Sequence, residues 1–129
     1  MSLEIRYLTW SILLGLVYLL LALAALVLQQ GLPYVASPRD EPRALTGKAA
    51  RLAGASRNFM ETFPLYAAAV LLTALGAAHN DKTLLGSELY FWARVVYLPV
   101  YFFGTRYLRT GAWTVSIIGI VMILCGASG

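Results

Sequence analysis

LTWSILLGLVYLLLALAALVL, residues 8–28, is an unbroken run without one charged side chain. As a helix it is long enough to cross the hydrocarbon core of a bilayer, with its backbone polar groups bonded internally. Arg6 stands just ahead of it, as in a signal peptide, but the run is too long for one and further apolar segments follow. The stretch reads as a membrane anchor. The rest of the chain agrees: of 129 residues, 60% are hydrophobic and only 12% charged, and mean hydropathy is +0.71. One domain of this length cannot hide so much apolar surface in a soluble core, so the soluble, disordered and fibrous classes are excluded.

Outward from this anchor, residues 29–48 contain Pro33, Pro38 and Pro42, with the charged stretch Pro38-Arg39-Asp40-Glu41-Pro42-Arg43. That composition makes a loop outside the bilayer. The remaining pattern predicts an all-α, integral membrane four-helix bundle. It forms one domain over residues 1–129, with helices at about 4–29, 46–78, 83–104 and 109–127. The second helix is polar in its first third (Arg51, Ser56, Arg57, Asn58, Glu61) and apolar from Leu65 to Ala77. A polar link, His79-Asn80-Asp81-Lys82, leads into the third, which carries Glu88 and Arg94 and is expected to bend at Pro99. After a basic turn from Gly104 to Thr110, the fourth offers Ala112, Ser116 and Gly119 as a small-residue seam for close helix contact.

The formal charge is +4, from ten Lys and Arg against six Asp and Glu. In so apolar a chain these cations mark membrane-flanking loops, and no nucleic-acid partner is expected. Arg6 and Lys82 lie on one side of the expected spans. Arg39, Arg43, Lys48, Arg51, Arg106 and Arg109 lie on the other. The positive-inside rule then places both termini on the non-cytoplasmic side. Cys125 is the sole cysteine and His79 the sole histidine, so neither an intrachain disulfide nor a zinc-type ligand set is available. Both read as structural residues. There is no Ser-His-Asp set, Gly-rich phosphate loop or carboxylate pair. A small multidrug-type transporter is set aside, because its first helix needs a central acidic residue and Leu8 to Leu28 has none.

The polar groups within the second and third helices are the informative feature. An ionisable side chain at mid-bilayer costs about 3 kcal/mol on insertion scales, so it should face the bundle and find a partner. Helical spacing puts Arg51, Gly54, Asn58, Glu61 and Leu65 on one face, with Arg57 beside it and four residues before Glu61. Tyr90, Arg94, Tyr97, Tyr101 and Gly104 form a second stripe. Two such stripes suggest a shared buried site rich in Arg, amide and phenol donors, with Glu61 as main acceptor. An equally weighted reading makes the same groups structural: Glu61 pairing with Arg94 or Arg57 across helices, and the tyrosines packing.

Residues 51–65, Arg51-Leu52-Ala53-Gly54-Ala55-Ser56-Arg57-Asn58-Phe59-Met60-Glu61-Thr62-Phe63-Pro64-Leu65, resemble the second-helix signature of the MAPEG superfamily. These are the membrane-associated proteins in eicosanoid and glutathione metabolism. The segment Ala93-Arg94-Val95-Val96-Tyr97-Leu98-Pro99-Val100-Tyr101 is similar to the family's Arg-x-x-Tyr/His-x-x-x-Tyr pattern. The resemblance covers the whole chain and is closest to the small bacterial members, which implies the bacterial inner membrane. It further implies a homotrimer of four-helix subunits binding glutathione as co-substrate between adjacent subunits, near the cytoplasmic face, with no metal. Glutathione would be transferred to lipophilic electrophiles or used to reduce hydroperoxides, the small apolar substrate entering from the lipid.

Carried over by position, Asn58 and Glu61 would hold the glutathione backbone, Tyr97 and Tyr101 would add hydrogen bonds, and Arg51, Arg57 and Arg94 would complete the binding set. Arg109, or else Arg106, would activate the thiol. Two positions depart from the pattern. Many glutathione-binding members carry Arg four residues before the Asn, where this chain has Gly54; catalytic members tend to end the first helix with Arg, where it has Gln29 and Gln30. The alternative on the same fold is a non-catalytic lipid-binding or scaffold protein.

Overall fold

A computed structural model describes residues 2–38, 45–104 and 106–128, apart from the side chain of Arg106. The charged stretch at 39–43 lies outside the described residues. The described chain forms four long helices and one short one: α1 (Leu3–Gln30), α2 (Leu32–Ala36), α3 (Gly47–Leu75), α4 (Asp81–Phe102) and α5 (Arg106–Ala127).

Local chemistry sets the ends. Ser2 caps α1 by accepting the Ile5 N–H at 3.3 Å, and α1 stops at Gly31, whose φ of +87° favours a residue without Cβ. Pro33, tolerated in a first turn, then allows the short α2 inside a stretch expected to be loop throughout. Thr46, just ahead of α3, is tied back to α1. The Gln29 side chain accepts the Thr46 N–H at 3.0 Å and donates to the Thr46 carbonyl at 3.1 Å. α3 ends at Leu75, short of the expected 78, because Ala77 turns to a φ of +51° and the Ala78 N–H bonds back to Thr73. Asn80 starts α4 earlier than expected through a reciprocal capping box with Thr83.

Among the described residues, three helices are long and apolar enough to cross a membrane: Leu3–Gln30, Gly47–Leu75 and Tyr107–Ala127. The expected third span, α4, is not one of them. Asp81, Lys82, Glu88 and Arg94 are spaced along it and dilute its apolar residues. α1 presents a broad apolar surface outward, with Leu13 and Leu20 among its exposed side chains.

The helices pack α4 on α5, α1 on α3, and α3 and α1 on α4. α1 and α4 run in the same direction. Glu4 pairs with His79 just ahead of α4, the Tyr7 ring lies 5.7 Å from Phe91, and farther along the Tyr18 hydroxyl donates to the Arg94 carbonyl at 2.6 Å. His79 is therefore a tether between α1 and the α3–α4 link, a role its sequence position did not reveal. α4 and α5 approach closely at Gly86 and Gly119, where a Cβ on Gly119 would lie 2.6 Å from the Gly86 carbonyl oxygen. The expected seam is present: Ser116 and Gly119 are buried and Ala112 half-buried.

Candidate functional site

The buried face of α3 is Ala55, Phe59, Thr62, Tyr66, Ala69, Val70 and Thr73. It lies one position round from the stripe the sequence suggested. The reason is area: Phe59 and Tyr66 each bury a large ring, far more apolar surface than Gly54 or Asn58 could offer. Phe59 stacks on Tyr18 and Phe63 at 4.7 and 5.4 Å, and Tyr66 stacks on Tyr90 at 3.9 Å. The polar stripe is turned to the flank. Arg51, Arg57 and Glu61 are exposed on this chain, Asn58 is half-buried, and Gly54 is buried. Glu61 is thus not the buried acceptor that was expected, and it makes no ion pair with Arg57 or Arg94 among the described residues.

The α4 stripe does face inward, with Tyr90, Arg94 and Tyr97 buried and Tyr101 half-buried. Arg94 is 0% exposed. Its guanidinium donates to the Thr62 hydroxyl at 2.7 Å and lies 4.6, 5.7 and 6.0 Å from the ring centres of Tyr97, Tyr90 and Phe59. Three aromatic faces take the place of a carboxylate in stabilising the charge. The Nε and Nη1 donors have no hydrogen-bond partner among the described residues. A residue expected to touch a ligand instead sits sealed behind Tyr97.

Where α3, α4 and α5 meet nearer the C-terminal end of α4, Asn58, Tyr97, Arg109, Thr110 and Trp113 line a cavity of about 170 Å³. The Asn58 Oδ1 is buried and has no hydrogen-bond partner among the described residues, an acceptor left free at a cost unless something donates to it. The Arg109 guanidinium lies 4.9 Å over the Tyr101 ring, which holds the cation beside the cavity. Tyr101 in turn occupies the space left by Gly54, where a Cβ would come within 2.5 Å of the phenol oxygen. The structure therefore brings Asn58, Tyr97, Tyr101 and Arg109 together. It leaves Arg57 and Glu61 on the outer flank. Arg51 is used elsewhere, donating to the Phe102 carbonyl at 3.3 Å beside Gly104, whose φ is +74°. A cation at the last carbonyls of a helix complements its dipole, so Arg51 caps α4. The Arg106 side chain lies outside the described residues.

One cation, one amide acceptor and two phenols around a small cavity can hold a polar, peptide-like molecule, and the cation can lower the pKa of a thiol placed near it. The sequence reading missed Thr62, Tyr18, Thr110 and Trp113. Tyr18 had a visible signal, a single phenol inside an apolar run, whose hydroxyl needs a buried partner. Thr62 follows Ala55 and Phe59 at helical spacing and could have been found the same way.

No curated protein matches the chain. The sequence model of one family does match, over residues 7–128, the same span that holds the anchor helix, the aromatic-caged Arg94 and the Asn58–Arg109 cavity; the protein belongs to the MAPEG family.

Proposed function

We propose that the cavity lined by Asn58, Tyr97 and Arg109 binds glutathione and that the protein transfers it to lipophilic electrophiles or uses it to reduce hydroperoxides. The observation that carries this reading is the cavity that Asn58 and Arg109 share, with the Asn58 Oδ1 lacking a hydrogen-bond partner among the described residues and the Arg109 cation held on an aromatic face. An amide oxygen accepts from a peptide N–H, and the Arg109 guanidinium favours the thiolate, the nucleophilic form that attacks the electrophilic carbon. The site is completed by a second copy. Arg51, Arg57 and Glu61 are exposed on α3, one of the helices apolar enough to cross the bilayer. Charged groups on such a helix need cover other than lipid, which favours a homotrimer with α3 turned toward its neighbours. In that assembly Glu61 reaches a ligand bound between subunits. α4 then crosses as the fourth span, both termini lie on the non-cytoplasmic side of a bacterial inner membrane, and the cavity opens near the cytoplasmic face.

Calorimetric titration of the detergent-solubilised protein with glutathione, paired with conjugation of a model electrophile, tests the reading. Saturable heat and a glutathione-dependent rate are expected. No heat at millimolar glutathione would overturn it.

Specific contacts favour a second reading, a non-catalytic lipid-binding or scaffold protein on the same fold. The Gly54 position is filled by Tyr101 and Gln29 spends its amide on Thr46, so neither place offers the ligand a donor. Binding without turnover in the same experiment selects it.

A further inference from the structure

A groove of about 360 Å³ lies between α4 and α5, lined by Glu88, Trp92, Ala93 and Val96 from one helix and Ala112 and Val115 from the other. The small side chains of Ala93 and Ala112 leave it hollow, and Trp92 and Val96 are exposed beside it. Glu88 is half-buried in its wall, one helical turn before Trp92, and is the single charged group there. Phe91 packs edge-to-face on the Trp92 ring at 5.1 Å.

Contacts along α4 set the depth of that carboxylate. Gly86 lies against Gly119 and Ile123, and Gly119 against Leu89 and Tyr90. On α3 the Tyr66 ring stacks on Tyr90 at 3.9 Å. Glu88 is therefore level with Gly119, well within α5, and with the apolar part of α3 around Tyr66. Both helices are apolar enough to cross a membrane, so a bilayer that covers them places Glu88 inside the hydrocarbon. A carboxylate there is costly without a cation. Among the described residues no cation pairs with it, and none stands at its level. Lys82 opens α4, and Arg6 stands two residues outside Leu8, which shares a core cluster with Ile123 and Val70. Arg6 moreover lines a separate groove, between α1 and α4. Arg94 is six residues along and sealed, and Lys48, Arg51 and Arg109 lie by Phe102 and Tyr101 at the far end. Arg57, five residues before Thr62 on an antiparallel helix, is on that far side of Arg94 too. Copies arranged about an axis along the bilayer normal keep each residue at its own depth, so a second copy brings no cation either. Lipid headgroups stay at the surface. The missing cation has to be carried in by an apolar molecule.

We propose that this groove binds a lipophilic amine, an apolar molecule bearing a protonated nitrogen, which enters from the bilayer. The ammonium donates a hydrogen bond to the Glu88 carboxylate, a charge-assisted contact strengthened where water is excluded. Trp92 offers a π surface to the same cation. The apolar body lies along Val96, Ala112 and Val115, in a volume typical of small-ligand pockets. The groove shares no lining residue with the Asn58–Arg109 cavity, so the site is independent of the glutathione reading.

The test uses the full chain carrying W10F and W113F, which leaves Trp92 as its sole tryptophan, reconstituted in phosphatidylcholine bilayers. Two heavy-atom quenchers of similar shape are titrated, 4-iodobenzylamine and 4-iodobenzyl alcohol. The amine is expected to quench saturably, reaching half its effect at least ten-fold below the amount of alcohol that quenches equally. The alcohol should quench only in proportion to its amount in the bilayer. E88Q should make the amine behave like the alcohol and E88D should keep saturation, both with unchanged helical circular dichroism. Proportional quenching by both compounds overturns the proposal. So does saturation that survives E88Q, which puts the amine elsewhere. Equal saturation by amine and alcohol leaves an apolar pocket without charge recognition and overturns it as well. Absence of quenching by either means that a second copy covers the groove, and that also overturns it.

Discussion

The Arg94 guanidinium is held by the Thr62 hydroxyl at 2.7 Å, and no carboxylate pairs with it among the described residues. A fully buried cation without an anion is costly unless other groups share the charge. Here Tyr97, Tyr90 and Phe59 offer ring faces within 6.0 Å, and the Tyr18 hydroxyl fixes the backbone of the same residue from α1. α1, α3 and α4 are thus joined at one point, and Tyr97 leads directly from that point to the cavity.

Replacing Thr62 by Val keeps the shape and removes the acceptor. A hydrogen bond to a charged group contributes about 1.5–3 kcal/mol, and that loss is expected as a lower melting temperature in detergent. The Tyr90 hydroxyl, 3.0 Å from the same oxygen, can accept in its place and sets the lower end of the range. Thr62→Ser should behave as wild type. Arg94→Met should cost less than Thr62→Val, because it removes the charge together with its demand. Equal melting of Thr62→Val and wild type would show the contact to be dispensable.

Gly54 and Tyr101 form a pair in which one residue's missing Cβ admits the other's phenol. Gly54→Ala should push Tyr101 aside and loosen the Arg109 cation above it. In a Tyr101→Phe background, where the clashing oxygen is gone, the same change should cost measurably less. The two substitutions are therefore non-additive by about 0.5 kcal/mol or more, as contacting residues are. Gly54→Arg, which adds a cation at this place, should not tighten glutathione binding, because Tyr101 already fills it. Tighter binding by Gly54→Arg would sink this account.

Much of the fold is legible in the sequence, and the register of the site is not. The uncharged run from Leu8 to Leu28 and the Ser116–Gly119 seam are local or periodic signals, fixed by bonding and packing that neighbouring residues themselves determine. Which of two adjacent stripes on α3 turns inward is a competition between helices. Phe59 and Tyr66 win it by burying rings against Tyr18 and Tyr90, residues far away in the chain. A polar stripe at helical spacing looks the same whether it faces the core or the flank. Arg51 shows the same limit: its work at the α4 terminus depends on where Phe102 falls, which no local pattern states.

Glu61 follows from that rotation. On the single chain it is exposed and has no ion-pair partner among the described residues. Glu61→Gln should change the stability of the subunit fold by less than about 0.5 kcal/mol, as surface substitutions do. In a trimer with α3 turned toward its neighbours, the same change should shift the mass of the detergent-stripped complex toward monomer. A large fall in the melting of the monomer itself would mean that Glu61 has a buried partner within the chain.

Arg109 decides between enzyme and scaffold. Its guanidinium lies over Tyr101 at the edge of the cavity that Asn58 also lines. A cation there stabilises a thiolate more than a thiol, so glutathione bound in the cavity should titrate well below the free-thiol value of about 8.5. The sign is definite: a lowered thiol pKa means more thiolate at neutral pH, read as ultraviolet absorbance in a difference spectrum. The conjugation rate should then level off at a lower pH than the uncatalysed reaction. Arg109→Ala should abolish the band and move the pH profile up toward the free thiol. It should leave affinity nearly unchanged, because Asn58, Tyr97 and Tyr101 still hold the peptide. Arg109→Lys should keep part of the band, since a point charge suffices for a thiolate even without the planar fork. If wild type shows no band and Arg109→Ala alters neither rate nor profile, the cation serves only to pack α5 against Tyr101, and any bound glutathione is a ligand without chemistry.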